Sequence, residues 1–293
     1  MSVTITSLQN RRIKRIVKLR NRRHRDDEQV TIVEGVREIR QALLHNRIPL
    51  EAYVCREIAE ADAETAELLS QLDALASIKP VQMYEVTPEL FAKIAYRGES
   101  GGLLFIFSYW HVALNELPLK INPFILVVEN AEKPGNLGAI LRTADACGID
   151  ALIVCHSPNA SGTDVFNPNV IRASLGAVFS VTIIIEKTNH VIDWLHKRNI
   201  CILAATPDGD VPYTSTDMLQ SIAIVTGSEA LGLSSSWLTH ADYRIVIPMQ
   251  GVVDSLNLSV STALLLYETV RQRGSLKHSV LSDQPPPKIL EQG

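Results

Sequence analysis

Phe124-Ile125-Leu126-Val127-Val128, then Glu129-Asn130-Ala131-Glu132-Lys133-Pro134-Gly135, then Asn136-Leu137-Gly138-Ala139-Ile140-Leu141-Arg142-Thr143-Ala144: these segments decide the fold. Five apolar residues in succession read as a strand buried on both faces, Pro134 and Gly135 punctuate a polar loop, and the apolar spacing over 137–147 reads as a helix. The pattern continues downstream. Strands are expected at 151–155, 181–185, 200–205, 222–226 and 243–247, with helices at 190–197 and 258–271. Continuous Val/Ile/Leu runs separated by helices predict a parallel sheet covered on both sides.

Upstream lies a second, smaller pattern of alternating strand and helix. Strands are expected at 30–33, 52–55, 81–86 and 102–107, and helices around 36–44, 57–76 and 88–94. The chain therefore divides into an N-terminal α/β domain over 1–107, a linker over 108–121 containing Pro118, a larger α/β domain over 122–273 and a flexible tail over 274–293 with Pro285-Pro286-Pro287.

The charge is unevenly spread. Residues 1–25 contain no acid but hold nine of the 28 Lys+Arg in the 293-residue chain. The remaining residues carry 19 basic against 32 acidic side chains, a balance of −13 beneath a formal net charge of −4. Among those cations, Ile13, Ile16, Val17 and Leu19 fall near helical spacing, so 8–25 reads as a helix with one apolar and one very basic side. Arg11, Arg12, Lys14, Arg15, Lys18, Arg20, Arg22 and Arg23 are its candidate polyanion-binding residues.

With 46% hydrophobic and 20% charged residues the composition is that of a globular protein and excludes disorder throughout. No apolar run approaches the 18–20 residues of a membrane span and no signal-peptide core follows the basic start, so no membrane is expected and the location reads as cytoplasmic. Cys55, Cys147, Cys155 and Cys201 lack paired spacing, so they read as reduced packing residues and no metal is expected.

Chemistry concentrates in three loops at strand ends, because dinucleotide, P-loop, zinc-protease and nucleophile-elbow signatures are absent. In the first, Asn136 stands where a helix N-cap belongs, Gly135 and Gly138 would let a ligand approach the backbone, and Arg142 sits in an otherwise apolar helix, where it calls for an acidic partner. The second, Gly227-Ser228-Glu229 to Gly232-Leu233-Ser234, brackets an acid with glycines at the carboxyl end of a strand, where open α/β sheets bind ligands. The third alternates Ser255, Asn257, Ser259 and Ser261 with apolar residues. One of these, Ser255 or Asn257, serves as an N-cap; four exceed what capping needs.

Together the loops resemble the three motifs of the SpoU/TrmH family of RNA 2'-O-ribose methyltransferases, in the SPOUT class. The matching residues are Asn136, Gly138 and Arg142-Thr143-Ala144; Gly227-Ser228-Glu229, Gly232 and Leu233; and Ile247-Pro248-Met249 with Ser255-Leu256-Asn257 and Ser259. The resemblance implies an α/β trefoil-knot domain that binds S-adenosylmethionine in the knot, with Gly227, Ile247, Leu256 and Thr206 as cofactor contacts. It implies Arg142, Asn136, Glu229, Ser255 and Asn257 as the catalytic set, and a homodimer in which Arg142 serves the opposite subunit's cofactor. Helix 258–271 is the candidate interface. The N-terminal domain more loosely resembles the ribosomal-protein-like RNA-binding domain that accompanies many such enzymes.

The expected activity is therefore methylation of a ribose 2'-hydroxyl, with large-subunit ribosomal RNA as the favoured substrate. Transfer RNA is the alternative acceptor, and a non-catalytic RNA-binding or assembly protein the alternative class. The arginine that Arg142 matches has been assigned the general-base role in this family, yet a guanidinium that stays protonated throughout the physiological range suits a developing alkoxide or a phosphate better than it accepts a proton. Asp254 is a departure to explain, because a carboxylate beside RNA phosphate is unfavourable unless it faces the cofactor or solvent.

Overall fold

The computed structural model describes residues 3–96, 101–156, 163–229 and 231–281, with side chains of the last stretch described through residue 274. Its first half is a five-stranded sheet of β1 (Val3–Ile5), β2 (Val30–Glu34), β3 (Glu51–Val54), β4 (Gln82–Val86) and β5 (Leu103–Ser108), in spatial order β1-β4-β3-β5-β2. Helices α1 (Arg11–Lys18), α2 (Arg22–Glu28), α3 (Val36–Leu44), α4 (Arg56–Ala59), α5 (Ala63–Ile78) and α6 (Pro88–Ile94) connect the strands. The sheet is mixed: β1, β4 and β3 run parallel, while β5 is antiparallel to β3 and β2.

The basic segment differs from the expected single helix. Asn10 and Asn21 each cap a helix, their side chains accepting from Arg12 N at 2.9 Å and Arg23 N at 2.9 Å, so the chain turns between α1 and α2. β1 adds to the edge of the sheet beside β4. Ile13, Ile16 and Leu19 lie in a core with Tyr53, Leu90, Phe91 and Ile94. Burial of such side chains is worth about 1.5–3 kcal/mol each, so this segment is one wall of the domain rather than an appended arm.

The second half is a seven-stranded, wholly parallel sheet of β6 (Phe124–Glu129), β7 (Ala151–His156), β8 (Ile183–Lys187), β9 (Cys201–Ala205), β10 (Val211–Pro212), β11 (Ile222–Thr226) and β12 (Tyr243–Val246), in order β10-β12-β9-β11-β6-β7-β8. Helices α7 (Pro134–Cys147), α8 (Pro168–Ala173), α9 (Ala177–Ser180), α10 (Thr188–Lys197), α11 (Ser235–His240) and α12 (Leu258–Leu281) cover it. Strand residues alternate between two cores, as the pleat requires. Leu126, Val128, Leu152, Ile224 and Ile245 join α7, α8 and α12, while Ile125, Val127, Ile153, Ile202 and Val225 join α10 and α11.

The short elements α8, α9, β10 and α11 have no periodic signal long enough to read from sequence. Helix α12 runs ten residues past the expected end at 271, so the first part of the expected tail is helical; residues 282–293 lie outside the described residues. The segment 108–121 is packed rather than loose: Trp110, Leu114 and Leu117 are buried, and Trp110 stacks on Phe179 at 4.8 Å between centroids. The two halves also meet through Thr31 Oγ1, which donates to Phe166 O at 2.6 Å, and through the buried Arg25 guanidinium paired with Asp164.

Candidate active site

Helix α7 begins at Pro134, with Lys133 as its N-cap residue, so Asn136 is not the cap but a first-turn residue. Proline fits the first helical position because its φ is already helical and its missing N–H has no partner to lose. Its placement frees the Asn136 amide to project from the helix end. The glycines divide differently from expectation. An added Cβ on Gly138 would come within 2.3 Å of Ala173 Cβ, so Gly138 serves the close packing of α7 on α8 rather than a ligand, and Gly135 faces open space.

After β11 the chain doubles back tightly. Gly232 N donates to Ser228 O at 2.9 Å, and Gly232 holds φ at +64°, a left-handed value that glycine adopts without strain. A Cβ on Gly227 would sit 2.3 Å from the Gly232 backbone, so the fold-back itself requires glycine at 227. It leaves Glu229 projecting toward α7 and the start of α12.

There the three loops meet. Asn136 Nδ2 donates to Glu229 Oε1 at 2.6 Å, Asn257 Nδ2 donates to the same oxygen at 2.8 Å and to Asn136 Oδ1 at 3.2 Å, and Leu258 N reaches Glu229 Oε1 at 3.5 Å. Asn257 also caps α12, its Oδ1 accepting from Ser259 N at 3.0 Å and Ser259 Oγ at 2.7 Å. Its two amide atoms thus serve two purposes, cap and site. Lys133 Nζ holds Glu229 Oε2, and this hydrogen bond is the main cause that keeps the Glu229 carboxyl below the usual carboxylate range.

Beside this cluster opens a cavity of about 440 Å³ at the carboxyl ends of β9, β11 and β12. Gly227, Ile247, Leu256 and Thr206 all line it, as do Glu229 and Ser255. Segments 227–234 and 247–257, which the resemblance expects to be threaded, face each other across it. Ala205, Ile245, Ile247 and Leu256 give the cavity apolar walls and Asp208 and Asp254 give it two carboxylates, a lining that would suit a cationic cofactor with an apolar ring. Its size falls in the range of small-ligand sites, so cavity and lining fit S-adenosylmethionine. Asp254 therefore faces the cofactor cavity. A smaller cavity of about 260 Å³, lined by Glu132, Lys133, Asn136, Glu229 and Leu258, adjoins it.

Comparison with known proteins gives this arrangement a family. Residues 123–267 match the SpoU rRNA Methylase family, and residues 10–104 match the MRM3-like substrate binding domain. A solved structure described as an RNA 2'-O ribose methyltransferase is 36% identical, covering 92% of this chain and 99% of its own, with a TM-score of 0.73. The chain belongs to the SpoU family. The SpoU methyltransferase AviRb from Streptomyces viridochromogenes, solved with AdoMet, is 28% identical over 91% of this chain and 99% of its own, with a TM-score of 0.80. A 23S rRNA (uridine(2479)-2'-O)-methyltransferase from the same organism is 29% identical over 87% of this chain and 86% of its own.

Not every residue expected of a SpoU site comes together. Arg142 lies six residues beyond Asn136 on α7, about 9 Å along the axis and on another side of the helix, and it lines neither cavity. It is exposed and, among the described residues, has no acidic partner, so the salt bridge its sequence context calls for is not made. The basic residues also separate. Arg15 pairs with Glu28 and Glu51, Arg20 donates to Lys93 O and Ala95 O, Arg22 pairs with Asp26, and Arg12 lies over the Tyr84 ring at 4.5 Å. Arg11, Lys14, Lys18 and Arg23 remain exposed without acidic partners among the described residues; the first three share one face of α1.

Two residues beside the cluster escaped the sequence reading, Lys133 and Glu129. Glu129, fully buried at the end of β6, accepts from Thr188 Oγ1 at 2.7 Å, Ser234 N at 2.8 Å and Ser234 Oγ at 2.9 Å. It ties the loop carrying Glu229 to the sheet. The available signal was an acid closing an otherwise apolar strand, where a carboxylate survives only if its hydrogen bonds are supplied.

Proposed function

We propose that this SpoU enzyme transfers a methyl group from S-adenosylmethionine to a ribose 2'-hydroxyl of large-subunit ribosomal RNA. The observation that carries the reading is the Asn136–Glu229–Asn257 cluster at the mouth of a cavity that fits the cofactor. The cofactor supplies an electrophilic methyl group on sulfur. The chain supplies placement: Asn136, Glu229, Ser255 and Asn257 shape the acceptor pocket, and Gly227, Ile247, Leu256 and Thr206 contact the cofactor. Relatives that act on 23S rRNA support ribosomal RNA as the substrate and the cytoplasm as the place of action.

The protein works as a homodimer in this reading. Val260, Leu264 and Tyr267 are exposed at i, i+4 and i+7 on α12, and Leu231, Val252 and Val253 are exposed on the loops around the cavity. A second copy packed there would bury these side chains and bring its Arg142 to the acceptor, where fixed positive charge stabilises the alkoxide and grips phosphate. Arg11, Lys14 and Lys18 on α1 hold flanking RNA.

The test is methylation of total RNA by the purified protein with labelled cofactor, followed by nucleoside analysis and site mapping. A 2'-O-methyl nucleoside in large-subunit RNA is expected. A methyl on a base overturns the ribose reading, label confined to transfer RNA overturns the ribosomal one, and calorimetry without cofactor binding would leave only an RNA-binding protein. Light scattering reads the dimer: a monomer at micromolar concentration overturns it.

A further inference from the structure

Glu229 and Leu258 alone among the described residues line both cavities, and the two carboxylate oxygens of Glu229 are held differently. Oε1 is fixed by Asn136 Nδ2 at 2.6 Å, Asn257 Nδ2 at 2.8 Å and Leu258 N at 3.5 Å. Oε2 is held by Lys133 Nζ. The three donors on Oε1 are backbone or short rigid amides anchored on helix ends. Lys133 by contrast is exposed, on a flexible four-carbon stem. It stands at the N-cap of the fourteen-residue α7, where unpaired N–H groups and the helix dipole already favour an anion.

A phosphate approaching the smaller cavity therefore meets an ammonium that can turn to it without disturbing the rest of the cluster. We propose that Lys133 is a clamp on Glu229 released by RNA: the acceptor nucleotide's phosphate takes the ammonium, and the freed Oε2 accepts the proton of the 2'-hydroxyl during transfer. The inference rests on the 2'-O-methylation reading above. As the O–H bond breaks, its proton passes to Glu229 Oε2. The 2'-oxygen forms its bond to the methyl carbon, and the electron pair of the broken carbon–sulfur bond stays on sulfur, leaving a neutral thioether.

Charge around Glu229 favours this division of labour. Lys133 is the cation facing it, while Glu132 from the loop before α7, Asp208 from the loop after β9 and Asp254 from the loop after β12 line the same two cavities. Asn257 and Ser259, at the start of α12, are neutral. With the ammonium in place the carboxyl is held low and accepts protons poorly; with it withdrawn, the largest contact that holds it low is gone. Lys133 is thus a positioning residue, acting through Glu229.

The test is single-turnover methylation across pH for the full-length wild type, Lys133→Met, Lys133→Arg and Glu229→Gln, with RNA affinity measured without cofactor. Lys133→Met should weaken RNA binding and lower the log–log salt slope by about 0.7, as loss of one phosphate contact on single-stranded RNA does. The acid limb of kcat/KM, which reports free enzyme, should move to higher pH, because the largest contact holding the Glu229 carboxyl low is then gone. The acid limb of kcat should stay, because in the RNA complex the ammonium has already left. Lys133→Arg should restore the salt slope, and Glu229→Gln should abolish the acid limb with at least a hundredfold loss of rate, about what a general base contributes.

A kcat limb that moves with Lys133→Met overturns the proposal, as do two unmoved limbs or a Glu229→Gln enzyme of wild-type rate. Nucleoside analysis of the wild-type product separates this failure from that of the parent reading. A 2'-O-methyl product with unmoved limbs sinks only the clamp, whereas a base-methylated product sinks both.

Discussion

Gly227 and Gly135 both lie in the polar loops, yet a methyl group added to each meets different surroundings. At Gly227 it would strike the Gly232 backbone, which cannot yield without opening the turn that presents Glu229. Gly227→Ala should cost about 1–3 kcal/mol, the usual range for overpacking, and lower cofactor affinity as well. At Gly135, in the first turn of α7, it meets nothing within 4 Å, so Gly135→Ala should raise stability by roughly 0.5–1 kcal/mol. Thermal melts paired with calorimetry check both, and equal effects would mean that the turn after β11 is not rigid. Arg142 poses the matching chemical question. Its guanidinium, exposed and without an acidic partner among the described residues, suits electrostatic work, so Arg142→Lys should keep part of the single-turnover rate while Arg142→Ala loses nearly all. If lysine is as inactive as alanine with RNA binding intact, the role depends on guanidinium geometry instead.

Helix α12 shows why elements carry more than local propensity. Asn257→Ala removes both the cap and the link to Glu229, and should cost about 0.5–2 kcal/mol along with activity. Asn257→Asp keeps an oxygen for Ser259 N but replaces the donor to Glu229 with a second carboxylate. It should therefore recover the melting temperature and not the methylation rate; recovery of both would mean that the Nδ2 contact is dispensable. The long periodic elements were legible for a physical reason. The apolar run at 124–128 and the helix after it report burial on two faces, and burial leaves its mark in every residue. The start of α7 was misplaced by three residues because Lys133 caps it without a side-chain bond, which left Asn136 as the nearest residue with a capping chemistry. Gly138 could be read as a ligand approach or as a helix contact, and only the position of Ala173 decides. Resemblance to a family singled out Asn136, Glu229 and Asn257, which the structure brings together, whereas Lys133 and Glu129 take their meaning from partners about a hundred residues away in the chain.

At the scale of the whole molecule the basic N-terminal segment is a wall of its domain as well as the proposed RNA contact, and sequence alone could not separate the two. Its charge pattern read as a detachable arm because cations dominate 1–25, but three apolar side chains and β1 bind it into the domain. Deleting 1–25 should therefore unfold the N-terminal half, whereas replacing Arg11, Lys14 and Lys18 by Gln should leave the melting temperature unchanged and lower the salt slope of RNA binding by about 2. Arg25 tests the seam between the halves. Its guanidinium spans Leu19 O at 3.0 Å, Arg20 O at 3.0 Å and the Asp164 carboxylate. Arg25→Leu leaves the half-buried Asp164 without its partner, and the cost should fall below the roughly 3–5 kcal/mol of breaking a fully buried pair. Burial already holds the Asp164 carboxyl above its usual range, with Arg25 opposing it, so the substitution should push it higher. A carboxyl whose folded pKa lies above its unfolded one takes up a proton on folding. The variant should thus regain stability as pH falls from the raised folded value towards the unfolded value near 3.9, where wild type gains less. Denaturant melts across that window measure the difference, and a variant whose loss is the same at every pH would show that Asp164 reaches solvent once Arg25 is gone.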